Sequence, residues 1–209
     1  QAVDAVADAH VVLAQPTQNF GTSSTLQIAS GASDTDVLVK FDVSGVTQPI
    51  LFAKLSFRVT TSTGAPRANV RTVTDDSWTE NMVTWNTSPA GSEPLLVNTG
   101  QVSRDGTISA DVTQAVTSDP DGAISFRLSV PSAAGAFHSR EGGQPPRLIL
   151  VVSQPGPTIP AASTWGFLAL ALLLTVAGSL IVRRSCSPAS SRYNAGLRFG
   201  SERSESWLS

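Results

Sequence analysis

Short stretches in which apolar and polar residues alternate recur along the chain up to residue 153. Lys54–Thr60 alternates most regularly, and Asp36–Asp42 and Ser125–Val130 repeat the pattern. Alternation with a period of two predicts strands that bury one face. Further strand candidates, separated by turn-forming residues, are Ala9–Leu13, Leu26–Ala29, Ala68–Val73, Leu95–Asn98, Thr107–Val112 and Arg147–Val152. Many short strands at this spacing predict an all-β fold, a jelly-roll-type β-sandwich.

Two segments depart from this alternation. Arg147–Val152 is wholly apolar after its first residue, which predicts a strand covered on both faces. Asp111–Val116 suits one short helix, with Asp111 as its N-cap.

The pattern changes after Ser153, where we expect the β-sandwich domain, residues 1–153, to end. Residues 154–164 are rich in proline and predict a linker. The apolar run 165–182 is long enough to cross the hydrocarbon core as a single transmembrane helix, and two arginines follow it. The positive-inside rule then places the body outside the membrane and the basic, disordered tail, residues 183–209, in the cytoplasm. A buried core helix is the alternative for the apolar run.

Composition and charge narrow the class of protein. Only 14% of the residues are charged, and the 16 glycines and 13 prolines are typical of strands and turns. Residues 1–153 carry 9 basic and 14 acidic residues, and this acidic body argues against binding to nucleic acid. Cys186, the one cysteine, lies beyond the apolar run, so the body has no disulfide. Because the chain begins at Gln1 and shows no charged-then-apolar leader, we expect that a signal peptide is removed or omitted.

Several basic side chains fall on the polar phase of predicted strands. If these strands are neighbours, they display a basic face on an acidic domain, formed by Lys40, Arg58, Arg71, Arg127 and Arg140, with His138 beside Arg140. Guanidinium forks bind carboxylates through paired hydrogen bonds, so such a face suits an acidic polysaccharide. The alternative is that each arginine pairs with an acid of the chain, such as Asp42 or Glu141, and holds the sandwich together.

Trp78 and Trp85 are the aromatic candidates for a sugar site. Indole rings stack on sugar rings, but they also bury a large apolar area. The two tryptophans therefore either stack on a sugar or pack the end of the sandwich, where they hold the loop from Thr74 to Pro94 in place.

Residues that could support catalysis or bind a metal are few. The only histidines are His10, which we expect at a surface or strand edge, and His138. Asp75, Asp76 and Glu80 cluster, either as an acid/base pair or as a solvated turn that Asp76 caps. We expect no catalytic residue and no cofactor apart from a structural calcium ion, for which carboxylates are available at Asp8, Asp34, Asp36 and Asp111. No spacing typical of an EF-hand assigns the ligands.

The segment before the apolar run resembles a known sorting signal. Ile159, Pro160, Ser163, Trp165 and Gly166, followed by the apolar run and by Arg183 and Arg184, resemble the IPTL-CTERM signal. This resemblance implies export in a Gram-negative bacterium, often alongside exopolysaccharide production, and a sorting or processing protease as a partner. The protein would then be at the cell envelope, either anchored by a single helix or secreted after its C-terminus is processed.

The body itself resembles a DNRLRE domain. The matching stretches are, in order, Ala7–Val11, Asn19–Leu26, Val39–Ser44, Asp76–Glu80, Val83–Pro89, Asp111–Thr113 and Ser139–Leu148. The resemblance implies a jelly-roll β-sandwich of a family that includes carbohydrate-binding modules, some of them attached to alginate lyases. We therefore expect an exported, non-catalytic module at the cell envelope that binds carbohydrate, in particular acidic polysaccharide. The alternatives are a structural or adhesive surface protein without a sugar site and a polysaccharide-degrading enzyme.

Overall fold

The computed structural model describes residues 1–64, 67–92, 94–99, 101 and 103–154. They form strands β1 Ala2–Asp4, β2 Ala7–Val12, β3 Thr25–Ala29, β4 Thr35–Asp42, β5 Ile50–Thr63, β6 Asn69–Val73, β7 Val97–Asn98, β8 Thr107–Asp111, β9 Ala123–Ser129, β10 Ala134–His138 and β11 Arg147–Val152, and helix α1 Thr113–Thr117. The sorting motif, the predicted transmembrane helix and the tail lie outside the described residues. Among those described, no helix has the length and hydropathy needed to cross a bilayer.

The predicted all-β class is confirmed, because the strands join into one curled sheet. Hydrogen-bonded neighbours follow the order β1-β11-β5-β10-β3-β4-β9-β6-β7, with β8 paired to β5 and β2 paired to β4. Strand β5 begins beside β11 and β8 and ends beside β10, so it belongs to both halves of the sheet. The two halves share one apolar core, an arrangement consistent with a β-sandwich.

A bulge in β5 marks the place where the strand passes from one half of the sheet to the other. Phe137 of β10 pairs with Val59, whereas its neighbour Ala136 pairs with Thr61, which leaves Thr60 as the extra residue. The Thr60 hydroxyl donates a hydrogen bond to the Ala136 carbonyl oxygen at 3.0 Å. Bulges of this kind bend a strand and increase its twist, which favours a curled sheet.

The main core follows the alternation predicted from the sequence. Along β5, Ala53, Leu55, Phe57 and Val59 are buried while the intervening side chains point outward. They pack against the inward residues of β3, β4, β6, β8, β9, β10 and β11, among them Leu26, Ile28, Val37, Val39, Phe41, Val70, Ile108, Phe126, Leu128, Phe137, Leu148 and Leu150. Each predicted strand segment overlaps an observed strand, and β1 and β10 are the described strands that were not predicted.

Two local predictions were wrong. Strand β11 is not covered on both faces: Leu148 and Leu150 are buried, whereas Val151 is 51% exposed, because only one face of this half of the sheet meets the core. The short helix begins at Thr113, and its N-cap residue is Val112. Asp111 instead accepts hydrogen bonds from the Thr113 backbone N–H and hydroxyl, which makes a turn before the helix.

A second, smaller core lies on the outer face of the half-sheet that contains β2, β4, β9 and β6. It consists of Ala7, Ala9, Val11, Leu38, Val73, Trp78 and Val83, with Trp85 packed against it. The residues from 74 to 92, which we call the cover loop, supply the last three of these side chains. The outward phase of these strands is therefore buried beneath a loop.

Candidate functional site

The predicted basic residues do not form one open face. Lys40 on β4, Arg127 on β9 and Arg71 on β6 lie on the outer face of neighbouring strands, with Arg71 directly opposite Arg127. Arg58 lies on β5, opposite Thr107 of β8, in the other half of the sheet. The structure thus brings three of the predicted residues together, beneath or beside the cover loop, and places Arg58 elsewhere.

Lys40 is bound to the cover loop. Its Nζ atom donates hydrogen bonds to the carbonyl oxygens of Asp76 and Trp78, both at 2.6 Å. The same nitrogen lies 4.8 Å from the centroid of the Trp78 ring, within the range of a cation–π contact. Lys40 therefore uses its charge to hold the loop on the sheet.

Arg127 has a similar role farther along the loop. Its Nε donates to Asp36 Oδ2 at 2.8 Å, and Nη1 donates to the Pro89 carbonyl oxygen at 2.9 Å and to the Ser88 hydroxyl at 3.2 Å. The guanidinium also lies over the Trp85 ring, 5.4 Å from its centroid. The side chains of Arg127 and Asp36 are only 16% and 14% exposed, so this ion pair is largely buried. Burial raises the pKa of Asp36 and Arg127 opposes that rise, which makes the pair mutually dependent.

The tryptophans pack against the protein, as one of the two alternatives predicted. They pack on the outer face of the sheet, however, and not at the end of the sandwich. Trp78 is only 7% exposed, and its indole Nε1 donates a hydrogen bond to the buried Ser125 hydroxyl at 3.0 Å. Trp85 is half-buried beneath Arg127. Since Trp78 is enclosed, its ring has little surface left on which a sugar could stack.

Arg140 joins distant segments of the chain. Its Nη1 donates to both carboxylate oxygens of Glu80 at 2.9 Å, and its backbone N–H donates to Asp8 Oδ2 at 2.9 Å. Glu80 Oε1 in turn accepts from the Asp8 backbone N–H at 2.7 Å. The carboxylate partner of Arg140 is therefore Glu80 from the cover loop, and the carboxylate partner of Arg127 is Asp36. The sequence had suggested Glu141 and Asp42 as examples of such partners, and neither has this role.

Two titratable residues of β2 are buried beside this junction. Asp8 is 1% exposed, and burial, reinforced by Glu141 and Glu80, raises its pKa to about 7. His10 is 2% exposed and stacks on Phe20, with ring centroids 4.7 Å apart; burial lowers its pKa to about 4. His10 was expected at a surface or strand edge. It lies on β2, which pairs with β4 alone among the described strands, but its side chain is buried because both faces of β2 are covered.

A second acidic group lies around a cavity of about 310 Å³ at the end of β6 and β9. Asp76, Asp119 and Asp121 line it, and burial, with Asp119 and Asp121 adding to the effect, raises the pKa of Asp76. The turn in the cover loop is capped by Asp75, which accepts hydrogen bonds from the Ser77 N–H and hydroxyl, so the assignment of this cap to Asp76 was wrong. Asp76 and Glu80 belong to separate carboxylate clusters.

A cavity of about 250 Å³ on the opposite half of the sheet is lined by two exposed arginines, Arg58 and Arg147. Its lining comprises Ser56, Arg58, Thr107, Gly143, Gln144, Pro145 and Arg147, which we call the basic pocket. Arg58 is exposed, and its side chain has no hydrogen bond or ion pair with any described residue. Arg147 lies beside it, pairs across the strands with Ser56, and donates through Nε to Asp4 Oδ1 at 2.8 Å.

A third cavity, of about 410 Å³, runs along the outside of β10. Ala134, Gly135 and Ala136 line it together with polar side chains that include Thr25, Gln27 and Thr61. His138 ends this strand opposite Thr25 and lines neither this cavity nor the basic pocket. These side chains carry no charge, so the cavity offers hydrogen bonds but no partner for a carboxylate.

The family model for carbohydrate-binding module family 96 matches residues 1–152. The chain belongs to this family. No curated protein matches the chain. The match supports a carbohydrate as the partner of this family-96 module and a binding role for the domain. The DNRLRE assignment and the sorting signal stay predictions.

The two groups of basic residues differ in their contacts. Lys40, Arg127 and Arg140 hold the cover loop through internal hydrogen bonds, whereas Arg58 has unused donors in an open pocket. Arg147 was missed as a candidate, because its strand was expected to be covered on both faces. Its position at the polar start of an otherwise apolar run was the available signal.

Proposed function

We propose that this family-96 module binds an acidic polysaccharide through the basic pocket. The observation that carries the proposal is the exposed Arg58 guanidinium beside Arg147, with no carboxylate of the described chain bound to it. A planar guanidinium binds a carboxylate through two parallel hydrogen bonds, and uronic acid chains present carboxylates at regular intervals.

The rest of the basic pocket suits a hydroxylated ligand. Ser56 and Thr107 contribute hydroxyls and Gln144 contributes an amide, and these groups exchange hydrogen bonds with sugar hydroxyls. Pro145 adds an apolar surface against which a ring can lie. Charge-assisted contacts at an exposed site are screened by salt, so we expect binding to weaken as the NaCl concentration rises.

Affinity gel electrophoresis tests this proposal. The purified protein is run through gels that contain alginate or pectate and through gels with a neutral polysaccharide. We expect retardation by the acidic polymers, and about a tenfold weaker interaction for Arg58→Ala, which corresponds to about 1.4 kcal/mol. Arg104→Ala is the matched control, because Arg104 is an exposed arginine that makes only a long 3.7 Å contact with Asp105. Equal retardation of both variants would count against the basic pocket.

A structural or adhesive role is the second candidate. The internal engagement of Lys40, Arg127 and Arg140 favours it, since these side chains stabilise the domain. Under this alternative the wild-type protein would pass through every polysaccharide gel without retardation.

We also propose that the protein is exported and displayed at the cell envelope. The support is the sorting-type sequence from Ile159 to Gly166 and the apolar run that leads to Arg183 and Arg184. Cell fractionation, with mass spectrometry of the mature C-terminus, tests this location. Recovery of the protein from the cytoplasm alone would contradict it.

A further inference from the structure

Three carboxylates from distant parts of the chain meet beside Arg140. Asp8 comes from β2, Glu80 from the cover loop and Glu141 from the turn after β10, and each offers an oxygen within 4.8 Å of the others. Calcium binds oxygen ligands at about 2.3–2.6 Å, so two of its ligands lie at most about 5 Å apart. Oxygen atoms of these three carboxylates are therefore close enough together to bind one calcium ion.

Asp8 supplies an independent indication of a missing ligand. The residue is 1% exposed, and only its Oδ2 atom has a hydrogen-bond partner, the Arg140 backbone N–H. Its Oδ1 atom is buried without a partner among the described residues. A buried carboxylate oxygen without a partner is costly, and in folded proteins such an atom is normally satisfied by a donor, a water molecule or an ion.

The charges around this cluster are not balanced by the chain. Arg140 is the one basic side chain bound to the cluster in the described structure, and its Nη1 atom donates to both carboxylate oxygens of Glu80. When all groups are ionised, three carboxylates and one guanidinium leave two negative charges, which a divalent cation neutralises. Glu141 is exposed, so an ion can enter from solvent.

In the second acidic cluster Asp76 Oδ1 is also buried without a partner among the described residues, but the other carboxylates are engaged and Asp76 as a whole is less enclosed than Asp8. Asp119 and Asp121 already accept hydrogen bonds from the backbone N–H groups of Gly122 and Ala123, and Asp76 is only half-buried. Short acidic turns of this kind are common on protein surfaces without an ion. This cluster therefore serves as a control.

We propose that Asp8, Glu80 and Glu141 bind a calcium ion. All three ligands are carboxylate oxygens, the donors that hard cations prefer. Among the described residues no sulfur or imidazole nitrogen joins them, as a zinc site would favour. Calcium also accepts irregular geometry more readily than magnesium does. The ion would fasten strand β2, the cover loop and the turn after β10 to one another, and its binding does not depend on sugar binding.

Calorimetric titration of the chelator-treated full chain with CaCl₂ tests this site. We expect saturable binding of one ion, with a dissociation constant no weaker than about 10⁻³ M, and a melting temperature that rises with calcium concentration. Glu141→Gln should weaken calcium binding by about tenfold or more, since it removes an exposed ligand without disturbing the buried ones. Asp76→Asn, in the second cluster, should leave the affinity unchanged.

Three results would overturn the proposal. One is the absence of saturable heat at calcium concentrations of about 10⁻² M, well above the range of extracellular calcium modules. Another is wild-type affinity in Glu141→Gln, whose fold is checked by circular dichroism. The third is loss of binding in Asp76→Asn, which would place the ion in the other cluster.

Discussion

Replacement of Arg127 by leucine separates a structural role from a ligand-binding role. Asp36, with its side chain 14% exposed, would lose the guanidinium that contacts it at 2.8 Å. The cover loop would also lose the hydrogen bonds at Ser88 and Pro89. Removing one partner of a buried ion pair costs about 3–5 kcal/mol, because the remaining charge is left uncompensated. We therefore expect Arg127→Leu to lower the free energy of unfolding by about that amount.

The double variant Arg127→Leu/Asp36→Leu determines how much of this loss comes from the stranded carboxylate. Replacing both members of a buried pair by apolar residues is often neutral, so we expect more than half of the stability to return. The remaining deficit reflects the lost loop hydrogen bonds, each worth about 1 kcal/mol. Urea denaturation monitored by tryptophan fluorescence measures all three proteins, with Arg104→Leu as the exposed control.

A small loss in the free energy of unfolding for Arg127→Leu would refute a structural role for Arg127. A loss below about 1 kcal/mol would put the pair in the class of surface salt bridges. If that small loss came with abolished polysaccharide binding, Arg127 would be a ligand-binding residue and the cover loop would have to open.

Three further predictions concern packing and titration. In urea denaturation, Trp78→Ala should destabilise the protein by about 3–5 kcal/mol, because the ring is buried. Met82→Ala, at an exposed residue of the same loop, should change stability by less than about 0.5 kcal/mol. Burial raises the pKa of Asp8 from 3.8 to about 7, so its ionisation opposes folding as the pH rises. In chelator, Asp8→Asn should therefore gain about 3 kcal/mol of stability relative to wild type between pH 4 and pH 7, measured by thermal unfolding. Gly21→Ala should destabilise by at least about 1–3 kcal/mol in the same assay, because a Cβ atom there would lie 2.0 Å from the Glu80 carbonyl oxygen. Wild-type stability in Trp78→Ala or Gly21→Ala, or an unchanged pH dependence of stability in Asp8→Asn, would contradict the corresponding prediction.

The alternation along the chain was sufficient to predict most strands and their inward faces. In Lys54–Thr60 and Asp36–Asp42 the period of two corresponds directly to the buried and outward positions of β5 and β4. Strand β10 was missed because its Ala-Gly-Ala sequence has low strand propensity, yet it pairs on both sides with β3 and β5. Pairing with two neighbours overrode the local preference.

The candidate site was harder to predict, because alternation assigns a side chain to one of two faces without saying what covers the outer one. Lys40 and Arg127 are on the outward phase as expected, but the cover loop lies over them. The outward Ala7, Ala9 and Val11 of β2 were the sequence signal for this second core. The pairing of Arg140 with Glu80 joins residues 60 positions apart, which no local pattern can show.

Nuclear magnetic resonance titration of the protein with an oligouronate tests the location of the sugar site most directly. Binding at the basic pocket predicts that the largest amide shifts lie at Ser56, Arg58, Thr107, Gly143, Gln144 and Arg147. In Arg58→Ala the same shifts should need about tenfold more oligouronate. Shifts that cluster instead around Thr25, Gln27 and Thr61, or around Asp76 and Asp119, with no change at Arg58, would contradict this assignment.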